Sequence, residues 1–404
     1  MKKRFGALLL VMLWVCFEGS PASGEEFFIP DDFTQIQFAI EAAEDGDIVT
    51  VRPGTYYETI RFRGKAIRVR SIEGPESTVI VGGGNSVVIF SEEEGRDSIL
   101  EGFELREGTG NCDLFFCYGG GIFCVDASPT IRDCILRDNA VAFDGGGLYV
   151  RRGFPLIEDC VFENNLTKWY QGGGIYATEA QLELRRCRFL GNLSDGGGGG
   201  VVAIQTPLLV EDCEFIGNVA NGNGGGIDAT SSDTTVRGSL FESNRCNTRG
   251  GAIRHSGGLL VVEDCTFRFN DSRGDGGAIQ SKGEDTIIRD SEIRQNVAYG
   301  KGGGIHVDGG VHLLIERCVV RGNLAEVSDG GGLRAGDVPL EMRDCEFIDN
   351  EAHAGGAVQA DGGGGSVAIV GSTFTRNRAV YGVGGALNLA RGPVDVVNCG
   401  FFRN

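Results

Sequence analysis

Six ionisable residues stand at near-constant spacing in the middle of the chain: Asp228, Arg254, Lys282, His306, Asp308 and Arg334. Asp228, Arg254, His306 and Arg334 each lie two residues after a Gly-Gly-Gly or Gly-Gly-Ala triplet, and Lys282 and Asp308 lie two further on. Brought together on one face, carboxylates, an imidazole and guanidinium groups supply the acid, base and charge stabilisation of a polysaccharide lyase or glycoside hydrolase. Asp228, Arg254, His306 and Asp308 are therefore the candidate catalytic residues. Earlier members of the same column, Tyr149 and Tyr176, offer rings for sugar stacking. Tyr149, Tyr176, Arg254, Lys282, His306 and Arg334 form the candidate ligand-binding set. The plainer reading is a solvated polar face, which any repeat array presents to water.

What positions these residues is a repeat. Cys134, Cys160, Cys187, Cys213, Ser239, Cys265, Ser291, Cys318, Cys345, Ser372 and Cys399 recur every 26 or 27 residues, and five residues after each stands an asparagine, from Asn139 to Asn404. Two residues after the Cys/Ser slot the side chain is apolar, most often Phe; three before it, it is Ile, Leu, Val or Met. Short alternating runs between Gly and Asn turns cannot bury their faces singly, but stacked they form one continuous core. The expected fold is all-β: a single-stranded right-handed parallel β-helix whose 26–27-residue rungs each hold three strands and three bends. Equivalent residues then stack about 4.8 Å apart, the asparagines taking the left-handed bends and bonding in a ladder. A second column alternates in sign from Arg132 and Glu158 through Arg343, which suits stacked neighbours. Upstream, Ile36, Ala39, Ile40 and Ala43 share one face of a short amphipathic helix expected to cap the apolar end. The cap spans about 25–60 and the regular repeats about 99–404, Phe103 taking the Cys slot before a loop five residues longer than the rest.

The cysteine column reads as small buried side chains, since parallel rungs hold Cβ atoms farther apart than the ~3.8 Å a disulfide prefers. Cys112 and Cys117, on the longer loop, leave a local disulfide open. No metal site and no cofactor are expected, apart from a structural calcium in acidic glycine-rich turns such as "GNGGGIDAT". The "RGD" at Arg273–Asp275 lies in a glycine bend, and such tripeptides are common by chance.

Residues 1–24 read as a secretory signal: Lys2, Lys3 and Arg4, an apolar run from Phe5 to Phe17, then small residues ending at Gly24. Lipid attachment at Cys16 fits less well, because Trp14 and Val15 depart from a lipobox. The expected location is extracellular or on the outer cell surface. A formal charge of −19 argues against nucleic acid and anionic membranes as partners. No later run has the roughly 20 apolar residues of a membrane helix. The sequence stops at Asn404 in mid-rung, so either it is a fragment or that edge is covered, end-to-end self-association being one way.

The alternation of "FENN", "FLGN", "FIGN", "FESN" and "FRFN" with "GGGI", "GGGL" and "GGAI" over Gly119–Asn404 resembles the repeats of the polymorphic outer membrane protein family. That resemblance implies a surface-displayed β-helix with a role in adhesion. The stretch "IQFAIEAAEDGDIVTVRPGTYYETI" is similar to the capping segment of the pectin-lyase-like superfamily, which holds polysaccharide lyases, hydrolases and many non-enzymes. The leading expectation is a non-catalytic module that binds a polysaccharide or a host or cell-surface partner. The alternatives are a polysaccharide lyase or hydrolase, and a structural envelope component.

Overall fold

A computed structural model describes residues 24–113, 116–361, 365–390 and 392–404. The chain coils into a parallel β-solenoid whose strands pair with their equivalents one rung before and one rung after. Each regular rung contributes to four sheets rather than three. One rung shows the order: Thr130–Arg132 in a first sheet of 15 strands, Ile135–Arg137 in a second of 14, Ala140–Val141 in a third of 10, and Leu148–Arg151 in a fourth of 13. The unexpected third sheet consists of two-residue strands directly after each asparagine, too short for a hydrophobic alternation to announce them.

The columns are physical stacks. Phe162, Phe189, Phe215, Phe241 and Phe267 lie ring over ring with centroids 4.6–4.9 Å apart. Apart from half-exposed Cys399, the thiols of the cysteine column are buried, and they donate to carbonyls of the preceding rung, as Cys187 does to Ile157. Each asparagine amide donates to the Oδ1 of the next, as from Asn192 to Asn218 at 3.0 Å, and to a carbonyl of the rung before, here Phe162 O at 2.8 Å. The same Oδ1 accepts the backbone N–H of Asn192. The left-handed bend falls one residue earlier than the sequence suggests, on Asn164, Ser243, Phe269 and their equivalents. An asparagine tied into the ladder on both sides has no freedom to supply the bend; the preceding residue, facing outward, does, and Gly191, Gly217 and Gly322 meet it without a Cβ penalty.

The sign-alternating column is bridged between rungs, with Arg237 reaching Glu263 at 2.7 Å and Arg185 reaching Glu211 at 3.4 Å. Such exposed pairs contribute about 0.2–1 kcal/mol each, so they fix register more than stability. At the N-terminal end the helix Ile36–Ala42 buries Ile36, Ala39 and Ile40 over the first coils. Its ends are satisfied by charged side chains: Glu58 accepts the N–H groups of Ile36 and Gln37, and Lys65 donates to the carbonyls of Ile40, Glu41 and Ala43. Both signs suit the helix dipole.

Candidate functional site

The candidate residues lie on the fourth sheet. Phe123, Tyr149, Tyr176, Val202, Asp228, Arg254, Gln280, His306, Arg334, Gln359 and Asn388 pair rung by rung as one column. Lys282 and Asp308 sit two residues along, Lys282 exposed and Asp308 half-buried.

This column is not a solvated surface. Tyr149, Asp228, His306 and Arg334 are 4–8% exposed. The reason is a second column, the residue just before each glycine triplet: Tyr118, Asp144, Gln171, Gly197, Asn223, Arg249, Asp275 and Lys301. The first glycine of each triplet has positive φ, 60° at Gly224 and 71° at Gly250, and the chain folds back sharply there. The backbone of this column is stacked too, Gly198 N–H donating to Asn223 O and Gly250 N–H to Asp275 O. Several of its side chains therefore reach the strand column, Tyr118 standing 4.9 Å from Tyr149. Asp275 approaches His306 Nδ1 at 3.6 Å, and a hydrogen bond from Asn223 helps hold the Asp228 carboxyl. The triplet register carries this signal, because one outward position precedes each GGG just as another follows it.

Within the covered row the charges answer one another. Asp228 and Arg254 pair at 3.0 Å, and Arg254 also donates to Thr230 Oγ1. Burial pushes the Asp228 carboxyl up against the pull of Arg254. Arg334 donates to Asp361 and to the Ala335 carbonyl. Burial drives His306 down to about 4, outweighing Asp275 and Asp308, so its imidazole is neutral near pH 7 and its Nδ1 has no hydrogen-bond partner. The RGD stretch is not displayed as a unit: Asp275 turns toward His306 and accepts the Lys301 N–H, while Arg273 lines a separate surface groove with Arg245 and Tyr299.

The aromatic end of the column is built differently from a sugar-stacking platform. Phe123, Tyr149 and Tyr176 lie nearly parallel with centroids 5.6–5.7 Å apart. Rings held at the rung repeat cover one another, so Tyr149 presents its edge. Asp144, which the sequence did not single out, stands beside them with its carboxyl pushed up to about 6 by burial, and it accepts the Gln171 N–H at 3.0 Å. The longer loop forms a hairpin, Asn111–Asp113 against Phe116–Tyr118, closed by a Cys112–Cys117 disulfide. It roofs a cavity of about 220 Å³ lined by Asn111, Cys112, Tyr118, Phe123, Val125, Tyr149 and Arg151. Among the described residues no group of three or more His, Cys, Asp or Glu is arranged to hold a metal ion. No helix among them is long and apolar enough to cross a membrane.

The family model described as "right handed beta helix region" matches residues 120–274 and 247–401, most of the chain. The chain belongs to the right handed beta helix family. Among solved structures, this β-helix is similar to a mannuronic acid specific polysaccharide family 6 lyase from human gut microbiota, at 13% identity and a TM-score of 0.39, over 80% of this chain and 87% of that one. It is also similar to the A-module of the Azotobacter vinelandii mannuronan C-5 epimerase AlgE6, at 12% identity and a TM-score of 0.30, over 91% and 92% of the two chains. No curated protein matches the chain.

Proposed function

We propose that this β-helix is an exported or cell-surface binding module that presents the fourth sheet to a glycan or a partner surface and performs no chemistry on it. The observation that carries the reading is the mutual pairing of the buried ionisable row. Asp228 is engaged by Arg254, Arg334 by Asp361, and His306 faces Asp275 with its imidazole neutral. Groups so committed make rigid hydrogen-bonding walls and poor proton shuttles. Repeated coils also offer many weak equivalent contacts, which suits polymers and avidity. Incubation of the protein with neutral and acidic polysaccharides, with and without calcium, tests this: retention without new reducing ends or unsaturated products is the expected result, and turnover would refute it.

One observation favours the lyase or hydrolase reading. Asp144, protonated in part near neutral pH, adjoins Tyr149 and Tyr176 and would be its acid. Turnover abolished by Asp144→Asn, with binding retained, is the outcome that reading requires. Self-association through the exposed Val394, Val396 and Phe401 would instead appear as concentration-dependent dimers.

A further inference from the structure

Beside the cavity under the hairpin, five rings gather on the surface. Phe143 is nearly buried, and around it lie Phe116 at 4.8 Å, Tyr170 at 4.9 Å, Tyr118 at 5.9 Å and Trp169, edge-on, at 6.0 Å between centroids. Tyr118 in turn stands 4.9 Å from Tyr149, which joins this surface to the cavity. Trp169 is 68% exposed, Phe116 48% and Tyr170 47%. The fold does not require rings here: the Tyr170 carbonyl receives the Gly196 N–H in the stack that continues through Gly222 and Thr248, so later rungs turn the same corner with small residues. Rings left in water forgo the gain of burying apolar surface, so a patch of them marks a contact surface.

The adjoining cavity supplies the polar half. Asn111 and Arg151 line it, and Arg151 Nε is buried without an acceptor. The guanidinium and amide N–H groups give the recess hydrogen-bond donors. The volume, about 220 Å³, falls below the roughly 300 Å³ at which drug-sized sites begin, and so admits one ring of a longer chain. Exposed rings beside a recess holding hydrogen-bond donors match a pyranose, whose C–H face is apolar and whose rim carries hydroxyls. The chain's formal charge of −19 opposes a polyanion at long range.

We propose that Phe116, Trp169 and Tyr170, with the Asn111–Arg151 cavity, bind a pyranose unit of a neutral glycan; the proposal rests on the binding reading above and gives it a place and a ligand class. In the full chain carrying Trp14→Phe, Trp169 is the sole tryptophan and reports on the site directly. The experiment titrates cellohexaose, maltohexaose, xylohexaose and chitohexaose, with hexagalacturonate as the acidic comparison, following heat and Trp169 emission together. At least one neutral hexamer should give heat and an emission change with the same midpoint. Trp169→Ala or Tyr170→Gly, both at exposed positions, should weaken that binding about tenfold or more while leaving the melting curve in place. Neutral-glycan binding with no emission change and no loss in either variant overturns this site and leaves the binding reading standing. Binding of the acidic hexamer alone overturns the neutral-ligand assignment. Silence from all five probes in both readouts overturns the site together with the glycan-binding reading.

Discussion

A Cβ placed on Gly197 would lie 2.3 Å from Asp228 Oδ2, so the glycine is what lets the carboxylate reach its position beside Arg254. Gly197→Ala should push Asp228 off its partner and cost about 1–3 kcal/mol. The loss should shrink in an Asp228→Ala background, because the clash is then gone. A double-mutant cycle by urea unfolding measures the coupling, and additive costs would contradict the contact.

The asparagine ladder makes a second quantitative statement. Asn218→Ala strips acceptors from the Asn192 backbone N–H and side-chain amide and leaves Phe189 O without its donor. With about 1–3 kcal/mol for each buried orphan, the loss should be at least ~3 kcal/mol. Asn404→Ala removes equivalent bonds at a solvent-accessible end and should cost only about 1 kcal/mol. Denaturant melts of the two variants distinguish them.

Three ladder members also begin acceptor triplets for N-glycosylation: Asn165-Leu166-Thr167, Asn192-Leu193-Ser194 and Asn270-Asp271-Ser272. All three asparagines are fully buried. Expression through a glycosylating secretory pathway should therefore yield soluble protein unmodified at these sites, with glycan confined to misfolded material. Mass spectrometry of the two fractions checks this.

Two groups, half-buried Asp144 and buried His306, should tilt the pH dependence in opposite directions. The folded pKa of Asp144, about 6, is raised, so its contribution is complete below its ordinary 3.8 and is lost as pH rises through 6. That of His306, about 4, is lowered, so its contribution is complete above 6.5 and is lost as pH falls toward 4, with Asp275, Asp308, Lys301 and Arg334 around it. Relative to the wild type, Asp144→Asn should gain up to about 3 kcal/mol on the alkaline side of this window, and His306→Gln a similar amount on the acid side. Difference curves of stability against pH would reveal a wrong sign at once.

Among the described residues nine of the ten free thiols are buried and Cys399 is half-exposed. A thiol reagent should accordingly modify about one of these ten in the native protein and the other nine only after unfolding, counted by absorbance.

The columns were legible because a constant period turns recurrence in sequence into contact in space. Asn139 to Asn404, the phenylalanines and the alignment of Tyr149 with His306 all follow from that alone, while the capping helix with Ile36 and Ile40 follows from its own amphipathic spacing. The covering of the site was not legible. It depends on the reversal at residues such as Gly224 and Gly250, which brings Asn223 onto Asp228, and hydrophobic alternation says nothing about a polar residue folding over another polar residue. Asp144 is silent in the sequence for the same reason: its raised pKa comes from burial at a bend between strands. The hairpin roof at Asn111–Tyr118 interrupts the period, and what it encloses depends on where an irregular segment lands.

The ladder also has a direction. Asn139 donates to Asn165, Asn165 to Asn192, and so on toward Asn404, so every link is completed by the coil that leaves the ribosome later. A turn therefore has its ladder donors satisfied only when the following turn is in place, and the ladder's two ends are unlike: one offers donors, the other an acceptor.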